Sequence, residues 1–216
     1  VKGMCISSCC DRTEMVFVEK KFLTNTISFY IITLIFKLFE TQSEMVTRMI
    51  TKIIGTGSCV PERIVTNDDL AQIVETSDEW IRERTGVVRR HIIREETTVS
   101  MAVQAGRQAL ENAGITADDV DLIIVSTISS NVILPCTACE VQRELGAKRA
   151  TCFDLSAACT GFVVAYNTAA AYLNAGVYQT ALIIGSESLS NLTNWKDRGT
   201  CILFGDGAGA AVLKSE

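Results

Sequence analysis

The chain has 216 residues, of which 48% are hydrophobic and 21% are charged, so it can bury a full core in one domain or two small ones. Its net charge of −5 and the lack of clustered Lys and Arg argue against a partner that is a nucleic acid. The nine cysteines are an odd number and several lie in apolar segments, which argues against a disulfide scaffold and indicates a reducing, cytoplasmic compartment.

Residues 1–48 differ in composition from the rest, since they contain no alanine and no proline, and we predict that they are an extension outside the fold. Within them, residues 22–39 are rich in Ile, Leu and Phe and follow two lysines, which is typical of a weak membrane anchor or a signal-like segment. Several polar residues interrupt this segment, and no small-residue cleavage site follows it. We therefore favour a third interpretation, upstream translation before Met45 or Met49.

From Met49 onward, apolar runs of strand length alternate with segments of helical periodicity, which predicts a layered α/β domain over 49–216. A helix is predicted to be capped by Asn67, and the last two predicted strands form either a hairpin-like pair or one strand bent at its glycines. Gly55-Thr56-Gly57 is predicted to be the turn that closes the first strand. The predicted strands are 49–57, 121–127, 150–155, 180–185, 200–204 and 209–214, and the later helices are 76–86, 98–113, 135–145 and 158–175.

Cys159 lies where the apolar strand 150–155 gives way to the long Ala-rich helix. This position favours the thiolate, because the helix dipole and the free N–H groups of the first turn stabilise a negative charge. Small residues on both sides, among them Ala158 and Gly161, leave room for a substrate. Cys159 is therefore a candidate nucleophile, and a packed structural cysteine is the alternative.

Cys136 and Cys139 have the spacing of half a zinc site, but no second pair follows and His91 is the only histidine of the chain. We therefore predict no metal site and expect Cys139 to be a packed residue. A lone histidine such as His91 is more often a surface or packing residue than a general base.

Thr76, Trp80 and Arg84 follow one another at four-residue spacing, so they share one face of the predicted helix. An aromatic plane beside a guanidinium suits an adenine ring and its phosphates. The alternative is a tryptophan packed on the core beside a solvated arginine.

Four segments together indicate a known family: TKIIGTGS at 51–58, TSDEWI at 76–81 followed by RTG at 84–86, AACTGF at 157–162, and DRGT at 197–200 with FGDGAGAAVL at 204–213. In this order they resemble β-ketoacyl-acyl-carrier-protein synthase III of bacterial fatty-acid synthesis, a condensing enzyme. The resemblance extends over 49–216. It implies a thiolase-like fold and the N-terminal half only: one βαβαβαββ unit with a five-stranded mixed sheet and a buried central helix, the C-terminal domain missing.

The resemblance also implies a function. Cys159 would take the acyl group of acyl-CoA, acetyl-CoA in the type reaction, before decarboxylative condensation with malonyl-acyl-carrier-protein. It implies a homodimer and no cofactor, since the CoA thioester is a substrate. Leu134, before Pro135, stands where the family often has an aromatic residue that lies near the acyl pocket and reaches across a dimer interface. The implied CoA-binding residues are Thr76, Trp80, Arg84 and Arg198.

The family completes its site with a His and an Asn from the second half, and His91 does not match that histidine. We therefore expect this chain to do no more than acylate itself at Cys159, since nothing here would stabilise the enolate of the condensation step. A lone half would expose an apolar face and would aggregate or pair. Two alternatives remain: another thiolase-fold condensing enzyme, such as a ketide synthase, and a membrane-tethered non-catalytic fragment that uses residues 22–39.

Overall fold

The computed structural model describes residues 50–216; the predicted extension 1–48, with its segment 22–39, lies outside the described residues. No helix in the described part is long and apolar enough to cross a membrane. The strands are β1 (Thr51–Cys59), β2 (Ile64–Thr66), β3 (Arg89–His91), β4 (Leu122–Ser126), β5 (Thr151–Leu155), β6 (Thr180–Ser188) and β7 (Asp206–Ser215). The α-helices are α1 (Asn67–Ala71), α2 (Asp78–Thr85), α3 (Thr98–Ala113), α4 (Thr137–Leu145), α5 (Gly161–Asn174) and α6 (Arg198–Cys201).

Five strands form one mixed sheet in the order β1-β7-β6-β4-β5. Strand β4 is parallel to β5 and β6, whereas β7 is antiparallel to both β6 and β1. Strands β2 and β3 form a separate antiparallel pair. With that pair, helices α1 and α2 and the short helix α6 set aside, the chain order is β1-α3-β4-α4-β5-α5-β6-β7. The predicted βαβαβαββ unit with a five-stranded mixed sheet is therefore confirmed.

The sheet lies between two helical layers, because its strands are apolar on both faces. Helices α3 and α4 cover one face, and α5 covers the other. The prediction of a buried central helix needs a correction, since α5 buries only the face formed by Ala165, Ala169 and Leu173. Val163, on the opposite face, is 61% exposed. Nothing among residues 50–216 covers that side of the helix, so its burial is one-sided.

A third, smaller apolar cluster joins the segment between β1 and α3 to the segment between β6 and β7. Arg90 lies against this cluster and is only 4% exposed. Its guanidinium donates to the Asn67 side chain at 2.9 Å and to the Ile202 carbonyl at 3.2 Å. Because a buried cation needs such partners, Arg90 ties the end of α6 to the start of α1.

Capping residues explain where the helices begin and end. Helix α3 begins after Thr97, whose hydroxyl accepts from the Ser100 N–H, and it ends at Gly114, so the predicted range 98–113 is confirmed. The cap before α1 is Thr66 and not the predicted Asn67. Thr66 and Asp69 satisfy each other's backbone N–H groups in a capping box, which leaves Asn67 as the first helical residue.

Two further predictions are wrong for tertiary reasons. Gly55 and Gly57 lie within β1 and form no turn. A Cβ at Gly57 would lie 2.2 Å from the Ala105 carbonyl oxygen, so the missing side chain allows α3 to pack directly on the strand. Residues 200–204 form no strand either, because Asp197 caps the short helix α6 and accepts from the Gly199 N–H. Neither predicted alternative is observed, because only the second segment, 209–214, is a strand, as part of β7.

Candidate active site

A cavity of about 570 Å³ lies at the carboxyl ends of the three parallel strands. Each strand contributes the residues that follow or end it: Ile128 after β4, Cys159 after β5, and Glu187 near the end of β6. The other side is formed by the segment 189–204, which includes Asp197, Thr200 and Phe204. Crevices at this edge of an α/β sheet are the usual place for ligand binding.

Cys159 has an exposed thiol in this cavity. It lies in a 3₁₀ turn, Ala158–Thr160, that leads directly into α5. The predicted helix therefore begins two residues later than Cys159, at Gly161, while the thiol still lies next to a helix N-terminus. Ala158 has φ of +45° and is the one non-glycine residue with positive φ between residues 50 and 216. Such a conformation costs about 1 kcal/mol or more and is typical of functional sites.

Gly161 fixes the position of this turn over the sheet. A Cβ at Gly161 would lie 1.9 Å from the Ser126 hydroxyl oxygen and 3.2 Å from its Cβ. A side chain at this position would therefore force the Ser126 hydroxyl to rotate and would press on its Cβ, so glycine suits the start of α5 against the end of β4. The close approach holds the turn with Cys159 at the strand ends.

Glu187 is a residue of the cavity that the sequence analysis missed. Its carboxylate accepts from the Ile128 N–H at 2.9 Å, from the Thr127 hydroxyl at 3.2 Å and from the Ser129 hydroxyl. These bonds tie residues 127–129, of which Ile128 lines the cavity, to β6. The sequence signal that could have identified Glu187 is an acidic residue at the end of an apolar strand. The neighbouring Ser186 is buried and donates to the Thr98 carbonyl at 2.7 Å, so it is structural.

Trp80 lies between two arginine side chains from different parts of the chain. The Cζ atom of Arg84 lies 4.3 Å from the centre of the indole ring, and the Cζ atom of Arg198 lies 4.6 Å from it. Arg198 begins α6, the helix that also carries Thr200 into the cavity. The structure thus brings together three of the four residues predicted to bind CoA, and α6 connects them to the cavity with Cys159.

Thr76 is not on the helical face predicted for it, because Ser77 is extended and caps α2, which begins only at Asp78. Its hydroxyl oxygen is buried and has no hydrogen-bond partner among the described residues. Leu134 is 84% exposed and does not line the cavity with Cys159.

His91, Cys136 and Cys139 lie outside the cavity that contains Cys159. The Nδ1 atom of His91 lies 2.6 Å from the Pro61 carbonyl oxygen, to which it donates in the tautomer with a proton on that atom. Within residues 50–216, no group of three or more His, Cys, Asp or Glu side chains is arranged to hold a metal ion. His91 therefore has the packing role that is usual for a lone histidine.

Comparison with known proteins identifies the family. The model of the 3-oxoacyl-[acyl-carrier-protein] synthase III family matches residues 153–216. A β-ketoacyl-[acyl-carrier-protein] synthase III of Clostridium botulinum is 55% identical over 161 residues, which are 74% of this chain and 49% of that protein. This chain belongs to the β-ketoacyl-[acyl-carrier-protein] synthase III family. It spans about half the length of the curated relatives it matches.

Solved structures of the synthase III family and of a related condensing enzyme share the fold. The structure of 3-oxoacyl-[acyl-carrier-protein] synthase III from Aquifex aeolicus matches with a TM-score of 0.76 at 48% identity, over 76% of this chain and 54% of that one. The priming β-ketosynthase of the R1128 polyketide pathway matches with a TM-score of 0.77 at 39% identity, over 78% of this chain and 51% of that one. The predicted thiolase-like fold is confirmed.

Proposed function

We propose that this chain carries the acyl-accepting site of a β-ketoacyl-[acyl-carrier-protein] synthase III, with Cys159 as the nucleophile. The observation that carries the proposal is the exposed thiol beside a helix start, in a cavity at the ends of three parallel strands. The Cys159 thiolate attacks the thioester carbonyl of acetyl-CoA, and the resulting oxyanion accepts from backbone N–H groups such as that of Cys159. The CoA thiolate then leaves, and the acetyl group remains on Cys159.

The nucleotide end of CoA would bind at Trp80, Arg84 and Arg198. Adenine would stack on the indole in the place of one guanidinium group, and the guanidinium groups offer positive charge to phosphates. Helix α6 leads from this cluster to the cavity, so one extended ligand can reach both. The buried, unpartnered hydroxyl of Thr76 would supply a further hydrogen bond.

The condensation with malonyl-acyl-carrier-protein would belong to the whole protein, a homodimer in the cytoplasm. The family supplies a His and an Asn for that step, and no histidine of residues 50–216 lines the cavity. We therefore assign only the acylation of Cys159 to this chain. The proposal includes no resident cofactor and no nucleic-acid partner. In the whole protein, Leu134 would lie near the acyl pocket at the dimer interface. The exposed face of α5 would pack against the second half.

Incubation with acetyl-CoA followed by peptide mass mapping tests this function. The expected result is one acetyl group on the peptide that contains Cys159. Soluble chain that stays unmodified at Cys159, or that is acetylated elsewhere at the same rate, would overturn the proposal.

A second candidate is the priming step of a polyketide pathway, which the match to the R1128 priming β-ketosynthase favours. Both candidates use the same nucleophile, so the acyl group is what separates them. A panel of acyl-CoA esters of increasing length, compared by the rate of Cys159 acylation, distinguishes a preference for acetyl-CoA from a preference for a longer starter.

Removal of either arginine beside Trp80 should weaken CoA binding. We expect Arg84→Ala and Arg198→Ala each to raise the dissociation constant of acetyl-CoA about tenfold, because each removes a cation stacked on the indole and a phosphate contact. Isothermal titration calorimetry measures this constant. The rate of Cys159 alkylation by iodoacetamide should stay unchanged, since neither arginine lies in the cavity.

Arg82→Ala is the matched control for these two variants. Arg82 lies on the same helix as Arg84 and carries the same charge as both arginines, but its guanidinium pairs with Asp78 and not with the indole. That exposed ion pair contributes little to stability. Equal weakening in Arg82→Ala would mean that net charge, and not the stack on Trp80, sets the affinity.

A further inference from the structure

Three cysteines outside the cavity bring their sulfur atoms together between α4 and β5. Cys136 is the residue that precedes α4, Cys139 lies in the first turn of α4, and Cys152 lies on β5. The Sγ atom of Cys139 lies 3.3 Å from the Sγ atom of Cys136 and 3.4 Å from that of Cys152. All three are free thiols that are partly accessible. None of them lines the cavity with Cys159.

The surrounding backbone holds these sulfur atoms in place. Asp154 of β5 accepts from the Thr137 N–H at 2.9 Å and from the Ala138 N–H at 2.7 Å, which joins the first turn of α4 to the strand. The Cys152 thiol also lies 3.3 Å from the Oε1 atom of Gln142. The contacts therefore follow from secondary-structure packing, and not from a loop that could adopt many conformations.

The distances suit disulfide formation. A disulfide has a sulfur–sulfur distance of about 2.05 Å, so each contact needs the two sulfurs to approach by about 1.3 Å, which side-chain rotation can supply. Both contacts share Cys139, so the cluster can hold one disulfide at a time and one thiol is left over. That third thiol is placed to exchange with the disulfide through Cys139.

We propose that Cys136, Cys139 and Cys152 form a redox-active thiol centre that a hydroperoxide oxidises to one disulfide at Cys139. In the first step a thiolate attacks the O–O bond of the hydroperoxide and becomes a sulfenic acid, with release of hydroxide from hydrogen peroxide. In the second step the neighbouring thiol displaces the sulfenic hydroxyl, which leaves as water. In total, two thiols and one hydrogen peroxide give one disulfide and two water molecules.

The electrostatic setting makes this reaction slow at neutral pH. Burial, and next the hydrogen bond with Cys139, raise the pKa of the Cys136 thiol, and the negative charge of Asp154 adds to the effect. The groups that face Cys136 are thus Cys139 of α4 and Asp154 of β5. Since the thiolate is the reactive form, the rate of disulfide formation rises with pH.

The test is oxidation of the whole chain by hydrogen peroxide in a Cys159→Ser background, which removes the exposed thiol. Alkylation under denaturing conditions and non-reducing peptide mapping then locate each disulfide; mapping is needed because Cys5, Cys9 and Cys10 are also present. The expected product links Cys139 to Cys136 or to Cys152. Cys136→Ser should still form the Cys139–Cys152 disulfide, and Cys152→Ser should still form the Cys136–Cys139 disulfide. Cys139→Ser should form neither.

Two results would overturn the proposal. One is that Cys136, Cys139 and Cys152 all remain free while Cys59 or Cys201, which are buried, become oxidised. The other is a Cys136–Cys152 disulfide that forms equally well in Cys139→Ser. The first result is obtained with the Cys159→Ser chain alone, in which all three cysteines of the cluster are intact. It therefore does not depend on whether the variants of the cluster fold.

Discussion

Replacement of Cys159 by serine should abolish acylation of this chain by acetyl-CoA, with a loss of rate of about a thousandfold or more. The substitution keeps the size of the side chain, but a serine hydroxyl needs a neighbouring base to become a nucleophile. Among the described residues that line the cavity there is no histidine or lysine, and the two carboxylates, Glu187 and Asp197, already accept hydrogen bonds from residues 127–129 and from residues 199–200. The remaining groups can bind the thioester but cannot attack it.

Intact-mass spectrometry after incubation with acetyl-CoA measures this loss. Cys201→Ser is the matched control, because Cys201 is fully buried, and burial, with the nearby charge of Asp197, raises the pKa of its thiol. The control should acylate at the parent rate. Equal rates for Cys159→Ser and the parent chain would remove Cys159 from the proposed reaction, even if acetyl-CoA still bound at Trp80.

Replacement of Gly57 by alanine should destabilise the fold by about 3 kcal/mol or prevent folding. The new Cβ would lie 2.2 Å from the Ala105 carbonyl oxygen and 2.5 Å from the Ala109 backbone nitrogen. Both are backbone atoms of α3, so no side-chain rotation can relieve the clash, and the helix itself must move away from β1. That movement would open the apolar layer between α3 and the sheet.

Gly209→Ala is the matched control for this variant. Gly209 lies on β7, which pairs with β1, and a Cβ there would meet nothing within 4 Å. We expect its unfolding free energy to change by less than about 1 kcal/mol. Urea denaturation followed by circular dichroism measures both variants, and a Gly57→Ala chain as stable as Gly209→Ala would show that α3 is not in direct contact with β1.

The periodic elements of this fold could be predicted from local chemistry. Helix α3 follows from its helical spacing and its end at Gly114, and α2 follows from Ser77 and Gly86. These signals work because a capping side chain acts on the N–H groups two or three residues away. The same local reasoning placed Cys159 beside a helix start, although the first turn is 3₁₀ and α5 begins at Gly161.

Residues that act through distant neighbours could not be predicted in this way. Gly57 was interpreted as a turn residue because the sequence does not show that α3 packs on it. The role of Glu187 in the cavity could not be predicted because its partners are distant in the chain: Thr127 is 60 positions away and Ser129 is 58 positions away. Arg198 was assigned from the family resemblance alone, and the structure places it over Trp80, which no spacing rule could show.

Local patterns in the sequence predict the five strands of the main sheet, the helices that cover it, the family and the candidate nucleophile, since each depends on residues that are near one another in the chain. The surroundings of that nucleophile, in contrast, depend on how distant parts of the chain pack together. This packing joins Ile128, Cys159 and Glu187 from three strand ends into one cavity, and it brings three thiols together between α4 and β5. The physical reason is that parallel strands bring their carboxyl ends to one edge of the sheet, whatever the distance along the chain.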